Sequence, residues 1–372
     1  MKIAFLMSHD TEFYKLGSEI FAENLASELS YLGNEIHIFR AFSEKDSLVN
    51  VGRTVIHNHQ SPSFPFIGSY IGMKRSLKSF HKNDILLKFD WILVIGGGLG
   101  LLSKKLKYHN TAFFLIEISK EEYNSIPDSF QKFKSFLFYA LLNIGEQRGI
   151  KHSKIVICNS NYQVKQVKTI YKTTSAKLVY SPLGISEKWF DGSSFRTGSK
   201  KILYVGAGNR RNVVLFLKII ETMNKRGYDL SGIIIREDEG RIRELSSDFN
   251  INVEVYNNLD ENVLISKYNE SLALIMPSYK EAFCLPIVEA ASQYVPTIAS
   301  DLPQFQDIIE HGITGLVIKD YSLESWVYQL KKLIDDPEFL NTLKYGARRK
   351  SEHFRLSQIA SEINSELRND LE

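Results

Sequence analysis

Cysteine is nearly absent. The 372 residues carry two, Cys158 and Cys284, far apart and outside any metal-ligand spacing. That excludes a disulfide framework and a zinc-binding framework, and it fits a reducing compartment. No apolar run approaches the ~18 residues that a membrane span needs. The opening run Met1 to Met7 is too short for the apolar region of a secretory leader and reads as a first strand. No nucleic-acid module is recognisable and the net charge is only +3, so no nucleic-acid partner is expected. A G-x-G-x-x-G fingerprint is also missing. Gly96-Gly97-Gly98-Leu99-Gly100 has a different spacing, with Glu117 the nearest acid some 20 residues on, and it reads as a strand-end loop in an interdomain cleft.

What is present is the composition of an ordinary globular enzyme, 44% hydrophobic and 24% charged, in a chain too long for one compact core. The charge is uneven. Residues 1–190 hold 24 Lys and Arg against 16 Asp and Glu, and the remainder 22 against 27. Lys74, Arg75, Lys78 and Lys82 repeat at helical spacing, and Phe130, Phe133, Phe136 and Phe138 alternate with Lys132 and Lys134. Two readings stand: amphipathic helices packed on a sheet, or a peripheral contact with an anionic membrane.

The most informative stretch is Leu272 to Val317. An apolar strand, Leu272 to Met276, runs into Pro277-Ser278, and Glu281 follows in a loop. A helix begins near Leu285-Pro286, and Glu289 sits one turn inside it among Ile287, Val288, Ala290 and Ala291. A carboxylate in such surroundings is costly unless something pairs with it. A second apolar run around Ile298 completes a parallel βαβ unit, whose ligands bind beyond the carboxyl ends of the strands. The helix N-terminus offers N–H groups and a partial positive charge to a phosphate, and Pro286 suits its first turn. A diphosphate with a sugar at one end and a ribose at the other would use both carboxylates, since each accepts from hydroxyls.

Ser278-x-x-Glu281-Ala282-Phe283-Cys284-Leu285-Pro286-x-x-Glu289-Ala290 resembles the E-x7-E signature of retaining GT-B glycosyltransferases, most like family 4, and Gly312-Ile313-Thr314-Gly315-Leu316 resembles that family's next motif. The resemblance implies that Glu281 contacts the donor sugar, that Glu289 holds the ribose, and that the Phe283 to Leu285 backbone binds the diphosphate. Cys284 departs from the family's usual Gly. Lys15-Leu16-Gly17-Ser18-Glu19 resembles the family's Gly-rich loop with one Gly fewer. After the strand Lys201 to Val205 and the turn Gly206-Ala207-Gly208, Arg210-Arg211-Asn212 resembles an R-K-N variant, and two guanidinium groups at a strand-to-helix junction suit a diphosphate. Ala207 lacks the family's Arg. Where many members have a His facing the sugar, this chain ends a strand on Glu117, an alternative catalytic group or the mark of a weakened site.

The resemblance thus implies two Rossmann-like α/β domains facing across a cleft: residues 1–183, a linker over 184–200, a nucleotide-sugar domain over 201–352, and a C-terminal helix within 353–372 that packs back on the first domain. Expected catalytic residues are Glu281 and Glu117. Expected donor contacts are Gly17, Gly206, Asn209, Arg210, Arg211, Ser278, Phe283, Cys284, Leu285 and Glu289. A UDP- or GDP-sugar donor, a saccharide or lipid-linked acceptor, and a cytoplasmic location follow. No Asp-x-Asp is present, His57-Asn58-His59 offers two imidazoles without a third ligand, and Glu237-Asp238-Glu239 reads as a solvated helix start, so no metal or other cofactor is expected. A catalytically weakened sugar-nucleotide-binding subunit and a GT-B-fold epimerase are the alternatives.

Overall fold

The structure, a computed structural model, describes residues 1–7, 17–43, 47–60, 88–106, 109–124, 129–171, 175–191, 198–206, 208–249 and 251–371. The chain forms two compact units: Met1–Leu183 together with Leu356–Glu372, and Gly184–Arg355.

Among the described residues the first unit runs β1 (Lys2–Met7), α1 (Gly17–Tyr31), β2 (Glu35–Ser43), β3 (Ser47–Val51), β4 (Thr54–Gln60), β5 (Trp91–Ile95), α2 (Gly97–Gly100), β6 (Thr111–Leu115), α3 (Ser119–Asn124), α4 (Ser129–His152), β7 (Ile155–Cys158), α5 (Asn161–Ile170) and β8 (Lys177–Tyr180). The strands order as β3-β4-β2-β1-β5-β6-β7-β8, parallel apart from the β3–β4 edge pair. Strands β5, β6 and β7 are near-continuous apolar runs buried end to end, as strands covered on both faces must be.

The glycine run 96–100 is not the strand-end loop that its composition suggests. Gly97–Gly100 forms the short helix α2, packed against α4 at backbone contact. A Cβ on Gly145 would lie 2.0 Å from the Gly97 carbonyl oxygen, and one on Gly100 would lie 2.2 Å from that of Gly145. Glycine serves here as the absence of a side chain between two helices.

The second unit runs β9 (Lys201–Val205), α6 (Val213–Lys225), β10 (Ser231–Ile235), α7 (Glu239–Phe249), β11 (Val253–Tyr256), α8 (Glu261–Asn269), β12 (Ala273–Met276), α9 (Leu285–Ser292), β13 (Thr297–Ser300), β14 (Gly315–Ile318), α10 (Leu323–Asp335) and α11 (Pro337–Ser351). Its sheet is wholly parallel in the order β11-β10-β9-β12-β13-β14. The chain therefore winds outward from β9 to one edge, crosses to β12, and winds to the other. The carboxyl ends of β9 and β12 form the topological switch point, where ligands of such sheets bind.

Residues 184–191, expected as linker, are part of this second unit. Ile185, Trp189 and Phe190 are buried, Trp189 meets Tyr268 edge-on at 5.1 Å, and the Arg355 guanidinium stacks 3.9 Å over Phe190. Glycine and serine in the sequence hid three anchoring apolar side chains. Residues 192–197 lie outside the described residues. The second unit ends at Arg355, not at 352, because Ile185 bridges to Arg355 and accepts no break there.

The last helix, α12 (Leu356–Asn369), returns to the first unit. Leu356, Ile359, Ala360, Ile363 and Leu367 bury one stripe at helical spacing. The Trp91 indole donates to the Leu367 carbonyl at 2.9 Å, Asn34 donates to Asn364 at 2.9 Å, and Lys177 pairs with Glu366 at 2.6 Å.

Candidate active site

The site is built where β9 and β12 end. After Val205 the chain turns at Gly206, with φ 152°, and a Cβ there would lie 2.0 Å from Arg211 Cδ. The missing side chain is what lets Arg211 cross the strand end. A 3-10 turn, Asn209–Arg211, then leads to Asn212, whose left-handed backbone and side chain cap α6. Ala207 lies outside the described residues, as does the Asn209 side chain.

Arg211 meets Glu281 in a two-point pair. Its Nε donates to Glu281 Oε1 at 2.6 Å, Nη2 to Oε2 at 3.0 Å, and Nη1 to the Val205 carbonyl at 2.9 Å. Glu281 is only 2% exposed, and the Ser278 hydroxyl also donates to its Oε1 at 3.0 Å. Tyr279 N–H donates to the Arg210 carbonyl at 2.8 Å, and Tyr321 donates to the Ser278 carbonyl at 2.8 Å. The loops after β9 and β12 are thereby fastened together. Arg210 itself is exposed.

Helix α9 starts from Cys284, which adopts a left-handed backbone at φ 81° and offers no side-chain cap. Its thiol is buried, and burial, reinforced by the Glu281 charge and opposed in part by Arg211, pushes its pKa well up, which favours the neutral thiol. Phe283 and Pro286 are buried on either side, and Leu285 is the first helical residue. Without a side-chain cap, the first turn keeps N–H groups for a ligand. Because Arg211 balances Glu281, the neighbouring carboxylate does not cancel the field of that helix end.

Glu289, 7% exposed, accepts a hydrogen bond on Oε2 from the Tyr268 hydroxyl of α8. Burial raises its carboxyl pKa, and the charge of Arg236 and the Tyr268 bond oppose that shift in part. Arg236 follows β10 in a left-handed conformation, φ 69°, unusual for a side chain of this size.

Two of the residues expected from the sequence to contact substrate lie in the first unit. Gly17 opens α1, and the loop before it, with Lys15 and Leu16, lies outside the described residues. Glu117 follows β6 and is half-buried. The basic stretch Lys74 to Lys82 also lies outside them. His57 hydrogen-bonds His37 on the neighbouring strand at 3.0 Å and stacks on Phe39, a packing role. Among the described residues, no group of three or more His, Cys, Asp or Glu stands together as a metal site.

Residues 185–350 match the family described as glycosyl transferases group 1. The whole chain superimposes on sucrose-phosphate synthase from Thermosynechococcus elongatus with a TM-score of 0.84 at 16% identity, covering 99% of this chain and 98% of that one. The fold is that of the GT-B glycosyltransferases. A further structure, Anabaena HepE in complex with UDP, aligns with a TM-score of 0.72 at 12% identity over 99% of this chain and 100% of its own. Among curated proteins, the D-inositol 3-phosphate glycosyltransferase of Corynebacterium aurimucosum is 20% identical over 90% of this chain and 88% of its own length. That of Thermobispora bispora is 27% identical over 26% of this chain, and the match spans about a fifth of its length.

Three polar residues escaped the sequence reading. Glu237, taken for part of a solvated triplet, is buried, and pairs with Arg241 at 3.3 Å. Its Oε1 and the hydroxyl of buried Tyr204 have no hydrogen-bond partner among the described residues. Glu146 of α4 is buried and accepts from Ser119 N–H and hydroxyl and from Tyr171. Tyr268 carried no signal, because a tyrosine on an apolar helix face reads as core.

Proposed function

We propose that this protein is a retaining glycosyltransferase that moves a sugar from a nucleoside-diphosphate donor to a saccharide or lipid-linked saccharide, without a metal ion. The observation that carries this reading is the pair of buried carboxylates, Glu281 and Glu289, set on either side of the uncapped start of α9 at the switch point. Phosphate at the helix N-terminus, ribose on Glu289 and sugar on Glu281 satisfy each group with the partner its chemistry asks for. The likeness to a chain crystallised with UDP supports a nucleotide donor. The departing diphosphate takes its stabilisation from the α9 N–H groups and the arginine-bearing loop, and in retention it also helps to deprotonate the acceptor hydroxyl. Glu117 is a candidate second carboxylate for the charge that develops on the sugar.

A lipid-linked acceptor would bring the protein to a membrane surface. Among the described residues no helix is long and apolar enough to cross one. The first half of α4 nevertheless leaves Phe136, Leu137 and Phe138 exposed on successive positions, with Tyr123 packed against Phe136. No acid occurs between Ser129 and Gly145 of that helix, where Lys132 and Lys134 lie, so its charge suits an anionic bilayer.

The test is a thermal-shift screen of UDP, GDP and ADP and their hexoses, with and without EDTA, followed by NMR of the anomeric configuration of product. A stabilising nucleotide, EDTA-insensitive turnover and a retained anomer are expected. Nucleotide binding without transfer or donor hydrolysis would favour a binding subunit, and an epimerised donor would favour an epimerase.

A further inference from the structure

The sheet of the second unit carries, at its carboxyl edge, an aromatic pair that the donor site does not use. Tyr279 follows β12 and Tyr321 follows β14. Their ring centroids lie 4.7 Å apart with the planes tilted by 47°. Tyr279 is 53% exposed and Tyr321 40%. Tyr321 is anchored at its far end, where its hydroxyl donates to the Ser278 carbonyl at 2.8 Å. Tyr279 is tied through its backbone, whose N–H donates to the Arg210 carbonyl at 2.8 Å, and its ring leans on Tyr321. Two rings held in this way offer a ligand a flat face at little cost in side-chain freedom.

The strand between them supplies a charge. Asp301 follows β13, and its N–H donates to the Ile318 carbonyl of β14 at 2.8 Å. It is exposed, and among the described residues its carboxylate has no hydrogen-bond or ion partner. Asp320, next to Tyr321, is the contrast. Its carboxylate already accepts from the Ser322 N–H at 2.8 Å, the Ser322 hydroxyl at 2.5 Å and the Ser325 hydroxyl at 3.0 Å. Of these two aspartates only Asp301 keeps its acceptors open.

A flat aromatic face beside an open carboxylate matches a pyranose ring. One side of such a ring presents C–H groups, which bury well on a π face of negative potential, and its rim carries hydroxyls that donate to a carboxylate. Two side chains are too small a patch for a protein partner, which needs about 800 Å² on each side. We propose that Tyr279, Tyr321 and Asp301 form a pyranose-binding subsite for a saccharide chain, separate from the place of the reacting sugar. The inference rests on the saccharide acceptor proposed above. Tyr321 holds the carbonyl of Ser278, and the Ser278 hydroxyl holds Glu281, so a chain seated on the pair is tethered to the loop that bears the expected sugar carboxylate.

The test is calorimetric titration, without nucleotide, of maltohexaose, cellohexaose, mannohexaose and chitohexaose, with melting curves to check folding. Wild type should bind at least one of the four. Tyr279→Ala should weaken that saccharide about tenfold, the scale of one lost aromatic contact. Tyr279→Trp offers a larger face and should bind at least as well as wild type. Asp301→Asn should weaken binding about threefold or more through the lost charged acceptor. No binding of any hexasaccharide at about 10 mM, or an affinity that Tyr279→Ala leaves within about twofold, would overturn the inference. Should Tyr279→Ala melt early, an unchanged affinity in Asp301→Asn overturns it instead. A dimer that Tyr279→Ala disperses, in a protein that binds no hexasaccharide, would give the face to a second copy and overturn it as well. Nucleotide thermal shifts, run beside these titrations, judge the donor site separately. A protein stabilised by a nucleotide but blind to all four saccharides loses the subsite and keeps the donor site. Saccharide binding that depends on Tyr279, with no nucleotide shift, does the reverse.

Discussion

At the scale of single residues, Glu289 shows function set against stability. Its carboxyl pKa is raised in the fold by burial, so folding favours the neutral form. The stability of that neutral form is fully present below the ordinary value of 4.5 and is lost as pH rises through the raised value. Glu289→Gln fixes the neutral form and still accepts from Tyr268. We expect it to stabilise the ligand-free protein at pH 7–8, on the order of 1 kcal/mol, with the gain vanishing in melts below about pH 4. The same change should weaken nucleoside-diphosphate binding by about 1.5–3 kcal/mol, as measured by titration. Gly206→Ala is the opposite case. Its methyl would collide with the Arg211 stem, and its backbone conformation suits only glycine. A loss of about 2–4 kcal/mol in urea unfolding is expected, since the arginine must leave its pair with Glu281. The burial of Glu289 was legible because its neighbours along the helix are apolar. Arg211 was legible as an arginine at a junction, but its partner lies 70 residues away, and no local pattern distinguishes a cation aimed at a ligand from one aimed at a carboxylate.

At the scale of elements, the sequence located β9 to the residue, because it is a short apolar strand ended by turn-forming residues. It erred where an element's purpose is packing. Gly96 to Gly100 carries no apolar periodicity beyond Leu99, and only the proximity of Gly145 and Glu146 explains it. Gly145→Ala should therefore cost about 2 kcal/mol or more in thermal or urea melts, although alanine is the better helix former. The exposed stretch Phe136 to Phe138 of α4 supports a different expectation. Leu137, 66% exposed, should tolerate Leu137→Ser with a stability change within about 0.5 kcal/mol. If that stretch of the helix meets a bilayer, the same change should sharply reduce co-sedimentation with anionic vesicles at low salt. Unaltered sedimentation would leave the apolar residues without a membrane role.

At the scale of the whole molecule, the sequence announced two α/β units by repeating a strand-turn-helix opening at Ile3 and again at Lys201. It did not announce that residues 184–191 would anchor the second unit, since Trp189 and Phe190 stand in a stretch otherwise rich in Gly and Ser. The second unit is one continuous stretch of chain, and the first is assembled from two. Residues 184–355 expressed alone should unfold cooperatively and bind the same nucleoside diphosphate as the full chain. Residues 1–183 alone should lack a sharp transition in calorimetry until residues 356–372 are joined to them, because the apolar stripe of α12 completes that core.

The discontinuity of the first unit also sets a timetable for synthesis. Its sheet leaves the ribosome first, yet the helix that seals it is encoded after about 170 further residues. At 5–20 residues per second the nascent chain waits roughly 10–35 s before Trp91 can find its acceptor on Leu367. Over that interval the later-encoded unit can mature while the earlier one stays open, so the order of completion inverts the order of translation.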